Sequence, residues 1–173
     1  LSTAEIEATL NEVLIWALST HRSATPLAAA LAPFTRGEQE FVLRWADAIS
    51  KTNAEMAYQF VSHAPQSMRL MGLDGVEAWA VQAMDVYDKM GLYPACAVFR
   101  EVAAFAAAER DKANGVSFEE ISGVLELFVR GLSGRPLKLE ASDDTYTDTA
   151  SLFLPARVTR FPEHDENYRL YKA

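Results

Sequence analysis

The residues that could do chemistry are few and scattered. His21, His63 and His164 stand far apart in the chain, and none has a second histidine or a cysteine at metal-ligand spacing. The run His164-Asp165-Glu166 is the one cluster of ligand-type side chains. It falls where a helix begins, and acids in a first turn are accounted for by the helix dipole. Cys96 follows Pro94 in the first turn of a helical pattern, a position that can lower a thiol pKa. With no histidine beside it in sequence, it reads as a packing residue. There is no G-x-S-x-G elbow and no S-x-x-K. The segment Gly131-Leu132-Ser133-Gly134-Arg135 has two glycines, but it leaves a helix and leads towards a strand. A phosphate loop needs the reverse order, strand and then helix N-terminus. The acid pairs Glu119-Glu120 and Asp143-Asp144 lie in polar surroundings, whereas general acid-base work needs a carboxylate shifted by burial. No catalytic, cofactor-binding or metal residue is therefore assigned, and the chain is not expected to be an enzyme.

Composition narrows the remaining classes. The 173 residues are 50% hydrophobic and 23% charged, with a net charge of −8. That apolar fraction is too high for a disordered chain and suits a buried core. Glu12, His21, Arg44 and Glu101 interrupt every apolar run before it reaches the roughly 20 residues of a membrane span. The acidic balance opposes a grip on nucleic-acid phosphates. A single cysteine excludes an intrachain disulfide framework and points to a reducing cytoplasm. The start has no basic stretch followed by an apolar one, so a signal peptide is not expected.

The elements that must carry these residues are mostly helices. Ser2 or Thr3 caps a helix over 2–19, with an apolar stripe of Ile6, Leu10, Val13, Leu14 and Ala17. Pro26 opens a short helix over 27–32, which Pro33 ends. A helix over 37–51 shows one face of Phe41, Trp45, Ala48 and Ile49. Asn53 caps 54–63, Pro65 opens a short turn to Met71, and Gly72 closes it with positive φ. Asp74 then caps a helix to about Met90 carrying Val76, Trp79, Ala80, Ala83, Val86 and Tyr87. The alanine-rich stretch 94–112 reads as one central helix. Ser117-Phe118-Glu119-Glu120 is a capping box for a helix that stops near Gly131 or Gly134. Trp16, Trp45, Trp79, Phe41, Phe60, Phe99, Phe105 and Phe128 fall at helical spacing and are expected in the core. After Pro136 the period changes to two, and Leu137–Glu140 and Ser151–Leu154 read as two short strands of a β-hairpin.

Trp45 and Trp79 each sit in a helix followed by a second helix with Ala and Phe at close spacing. That loose repeat predicts a mainly α fold of stacked helix pairs, a HEAT/TPR-like bundle of about seven helices. The expected division is a helical domain over 1–134 and a β-hairpin extension with the start of a final helix over 135–173. The last residues, Asn167-Tyr168-Arg169-Leu170-Tyr171-Lys172, read as helix with no stop signal, which predicts a piece of a longer protein.

The C-terminal third carries a recognisable pattern. It comprises Leu127-Phe128-Val129-Arg130-Gly131-Leu132-Ser133-Gly134-Arg135-Pro136-Leu137, then Tyr146-Thr147-Asp148 before Ser151-Leu152-Phe153-Leu154-Pro155. Arg157-Val158 and Arg160-Phe161-Pro162 follow, and Asn167 to Lys172 closes it. Over about residues 118–173 this resembles the region upstream of the von Willebrand factor A domain in the NorD/CbbO family. The family's usual Asp-Gly before the second strand is here Asp148-Thr149. The resemblance implies an adaptor that works with a MoxR-type AAA+ ATPase ring to activate a metalloenzyme client, either nitric oxide reductase or Rubisco. The family's metal site, where Mg²⁺ is expected, lies in its A domain as a D-x-S-x-S motif. This sequence has no such motif, so no metal residue carries over, and it has no Walker A motif, so the ATPase would be the partner. The residues expected at an interface are those in the variable connections: Asp143, Asp144, Tyr146, Asp148, Arg157 and Arg160.

Two other readings fit the residues. A strand, a loop and a starting helix form the layout in which a zinc peptidase places H-E-x-x-H, so a metallohydrolase-like domain is one. A generic helical-repeat scaffold for other protein partners is the second.

Overall fold

The capping signals dictate where the helices start. In the computed structural model, which describes residues 1–172, Ser2 caps α1 (Thr3–Val13), Thr35 caps α3 (Arg36–Ser50) and Ser117 caps α7 (Phe118–Ser133). Each is a full capping box, with Glu5, Glu38 and Glu120 at the third position reaching back to the cap. Pro26 lies in the first turn of α2 (Thr25–Leu31). Asn53 Oδ1 accepts from the amides of Glu55 and Met56 at the start of α4 (Ala54–Met90). α5 (Leu92–Arg100), α6 (Val102–Asn114) and α8 (His164–Lys172) complete eight helices among the described residues. With 68% of the chain helical and only short strands near its C-terminal end, the class is mainly α. No helix among the described residues is long and apolar enough to cross a membrane.

The cap glutamates make a pH prediction. Hydrogen bonds from Ser2, Thr35 and Ser117 hold the Glu5, Glu38 and Glu120 carboxyls below the ordinary carboxylate range. A lowered folded pKa gives stabilisation that is complete above the unfolded value, about 4.3. It is lost as pH falls through the folded values. The thermal midpoint should drop between pH 6 and pH 3, and the triple variant Glu5→Gln, Glu38→Gln, Glu120→Gln should flatten that drop. An unchanged pH profile in the variant would contradict the assignment.

The chain divides into two compact units, Leu1–Ala107 and Ala108–Ala173. In the first, α4 packs against α3 and α5, and α1 packs against α2 and α3. Phe60, Trp79 and Phe99 meet at its centre, with centroids 5.5, 5.7 and 4.9 Å apart in tilted and edge-on arrangements. The Trp79 indole N–H donates to the Val98 carbonyl at 2.9 Å. Gln39 is buried, and its side-chain amide donates to the Leu31, Ala32 and Phe34 carbonyls at 3.4, 3.3 and 2.9 Å. It thereby satisfies carbonyls left open where α2 ends.

Several expectations change here. The first helix ends at Val13, because Leu14 leaves helical geometry (φ −101°, ψ 15°) as the chain turns. Trp16 is consequently 89% exposed and not in the core, and Phe128 is also exposed. In α3 the buried face is Gln39, Val42, Leu43, Ala46 and Ile49, while Phe41 and Trp45 are half-buried. Pro65 does not start a new turn: α4 runs through it, and the proline is buried beside Val61, Ala64 and Met68. The stretch 94–112 is not one helix, since Glu101 (φ −96°, ψ 43°) separates α5 from α6. Nor is it central throughout, because Ala103, Ala104, Ala107 and Ala108 are exposed.

Gly72 interrupts α4 with φ 67° and ψ −174°, a region that a side chain rarely enters. This kink divides one continuous segment into two helical arms. Gly72→Ala should destabilise the protein by about 2 kcal/mol, measured by urea denaturation. A neutral effect would show that the kink is not a fixed feature of the native state.

In the second unit, β1 (Val116–Ser117) pairs antiparallel with β5 (Arg157–Val158). A three-stranded sheet has the order β2–β4–β3. β4 (Ser151–Pro155) runs parallel to β2 (Lys138–Ser142), with Leu139 opposite Leu152, and antiparallel to β3 (Tyr146–Thr147). The two strands foreseen as a hairpin are therefore parallel neighbours, because the connection between them supplies the third strand. The core of this unit is Val116, Ile121, Leu125, Leu154, Val158 and Tyr171. Gly115 is a close-approach site, where a Cβ would lie 2.6 Å from Arg157 Nε and 2.7 Å from the Asp111 carbonyl. Buried Asn167 ties α8 down by donating to the Asn114 and Phe161 carbonyls and accepting from the Phe161 amide.

Candidate docking surface

The scattered reactive side chains stay scattered. Among the described residues no three His, Cys, Asp or Glu side chains converge on a point that could hold a metal. Cys96 is buried, and burial pushes its thiol up, the direction opposite to that of an activated nucleophile. Burial lowers His63, aided by the charge of Arg100. Asp165 and Glu166 occupy the first turn of α8, as the dipole argument requires.

Three of the six connection residues expected at an interface have local side-chain partners. Asp148 Oδ1 accepts from the amides of Ala150 and Ser151 at 2.8 and 2.6 Å, which holds its carboxyl below the ordinary range. That bond builds the β3–β4 turn without the glycine of the family pattern. Tyr146 stacks on Phe153 with centroids 4.3 Å apart and remains half exposed. Arg157 donates to the Lys112 carbonyl and, at 3.4 Å, to that of Gly115. Asp143, Asp144 and Arg160 are exposed. Arg157 and Arg160 share the rim of a cavity of about 520 Å³ with Thr145. Its apolar lining comes from Leu154, Val158, Leu170 and Tyr171. The Tyr171 hydroxyl donates to the Pro155 carbonyl at 2.5 Å, and burial raises its pKa.

The larger exposed feature is on α7. Only Ile121 and Leu125 of this helix are buried. Val124, Leu127, Phe128 and Leu132 are 48, 73, 40 and 74% exposed. Phe128 and Leu132 continue the stripe of Ile121 and Leu125 at three- and four-residue steps, with Val124 and Leu127 flanking it, so the C-terminal half of the stripe is left uncovered. A cleft of about 330 Å³, lined by Leu127, Arg130, Pro136, Leu137 and Lys138, continues this stripe towards β2. Periodicity puts Phe128 on the same stripe as Ile121 and Leu125, and it does not show that the chain covers only the N-terminal half of that stripe.

Neither a family model, nor a curated protein, nor a solved structure matches the chain.

Proposed function

We propose that the chain is a noncatalytic adaptor or docking module that couples a MoxR-type AAA+ ATPase ring to a metalloenzyme client, of the nitric oxide reductase or Rubisco activation type. The observation that supports this reading most is the uncovered apolar stripe of α7. It lies within residues 118–173, over which the resemblance to the NorD/CbbO family is clearest. A helix that leaves four large apolar side chains in water is suited to a protein partner. In this proposal the first unit is a stack of helix pairs, a reading supported by the successive packing of α3 on α4 and α4 on α5. The protein works in the cytoplasm, and metal chemistry belongs to the family's A domain and to the client.

The test is size-exclusion co-elution of the protein with a MoxR-type ATPase ring, with and without nucleotide. Wild type should co-elute. The double variant Leu127→Glu, Leu132→Glu should retain its helical circular dichroism and elute alone. Equal retention of the variant by the ring would remove α7 from the interface.

A further inference from the structure

The first unit carries a second exposed apolar feature of a different kind. The run Val13-Leu14-Ile15-Trp16-Ala17-Leu18 has six apolar residues in a row, immediately after α1. Leu14 and Ala17 face the core, while Ile15 and Trp16 are 60 and 89% exposed. The turn that turns them outward is fixed. The Leu14 carbonyl accepts from the amides of Ala17 and Leu18 at 2.8 and 3.0 Å, and a bridge between Ser19 and Arg22 follows. Trp16 therefore stands on a rigid platform anchored on both sides by buried residues. An isolated exposed leucine needs no explanation, but a nearly fully exposed tryptophan does. Tryptophan is the side chain most concentrated at the energetic centres of protein interfaces, and a held backbone removes the ordering cost of binding.

The surroundings define what the platform fits. Ile15 and Trp16 border a cleft of about 370 Å³, whose wall also includes Glu12, Asp47, Ser50 and Lys51. Asp47 and Lys51 neutralise each other at 2.7 Å. Glu12 is exposed, and no other described residue makes a hydrogen bond or ion pair with its carboxylate, so it is the unbalanced charge of the cleft. The chain as a whole carries −8. An indole face also attracts a guanidinium or ammonium group. We infer that Trp16, Ile15 and Glu12 form a docking site for a partner protein segment in which aliphatic side chains alternate with Arg or Lys. The aliphatic side chains cover Ile15 and enter the cleft, and the cation lies over Trp16 within reach of Glu12. This inference stands apart from the α7 reading, since it concerns different residues and a different probe.

The probe is a synthetic amphipathic peptide with leucine on one face and arginine on the other, compared with its leucine–glutamate counterpart. Tryptophan emission and acrylamide quenching report the event, and Trp16→Phe supplies the background of Trp45 and Trp79. The arginine peptide should shift the Trp16 emission to the blue and reduce its quenching. Titration calorimetry of the same peptide reads the variants that lack the reporter: Trp16→Ala and Glu12→Lys, both at exposed positions, should each weaken binding about tenfold, a change of about 1.4 kcal/mol. Four results would overturn the site: no shift with the arginine peptide, an equal shift with the glutamate peptide, undiminished binding by Trp16→Ala, or a shift given by phosphatidylcholine vesicles and not by the peptide.

Discussion

Trp79→Ala is expected to destabilise the native state by about 4 kcal/mol, the range for removing a fully buried aromatic side chain. Three terms act together. The indole is wholly buried, so its removal leaves a large cavity between α4 and α5. Its contacts with Phe60 and Phe99 vanish, and those two rings remain 5.7 Å apart with nothing to brace them from the third side. The Val98 carbonyl also loses its donor. Urea denaturation followed by circular dichroism would measure the loss. Trp45→Ala is the control, because Trp45 is half-buried and should cost about 1 kcal/mol. A Trp79 effect no larger than that of Trp45 would refute the assigned centre of the core.

Asn167→Ala carries the second large effect, about 3 kcal/mol, because it orphans buried groups and does not merely remove a contact. The side chain satisfies the Phe161 amide at 2.8 Å, the Phe161 carbonyl at 2.8 Å and the Asn114 carbonyl at 3.0 Å. It is fully buried, so water has no ready access to replace it. Asn167→Asp is the informative companion. It keeps the acceptor for Phe161 and loses both donations, so it should also be destabilising. Hydrogen exchange should show faster amides in β1, β5 and α8 for both variants. Protection equal to wild type would mean that this network is not what holds α8 in place.

Much of the helical plan was legible because its signals are local. Ser117 with Glu120, Asn53 and Gly134 act through bonds or φ values within a few residues, and each ends or starts a helix in the structure as read. Serine and aspartate in β-turn chemistry were less legible: the Asp148 turn forms by side-chain acceptance where a glycine was the expected device. The break at Glu101 has neither glycine nor proline to mark it. The parallel pairing of β2 with β4 depends on which side of the sheet the connecting strand takes, and strand periodicity is silent on that. The exposure of Trp16 follows from a helix that ends at Val13, six residues before the expected Ser19, with no glycine or proline to mark the stop.

The same limits govern the candidate surfaces. The connection residues Asp143, Asp144, Tyr146, Asp148, Arg157 and Arg160 stand in variable connections, where exposed side chains are expected. The structure gives Asp148 and Arg157 backbone partners and gives Tyr146 a stacking partner, while Asp143, Asp144 and Arg160 face solvent. Trp16 and Phe128 fall at helical spacing and read as core, so their spacing gives no sign that either is exposed. Patterning shows that a face is apolar, and only packing shows whether the same chain covers it.

The adaptor reading is tested most directly by the ATP turnover of a MoxR-type ring titrated with this protein. Saturable binding accompanied by a changed turnover, lost in the Leu127→Glu, Leu132→Glu variant while its helical circular dichroism is kept, is the predicted result. A ring whose turnover and elution are unaffected by the wild-type protein at saturating concentration would contradict the reading.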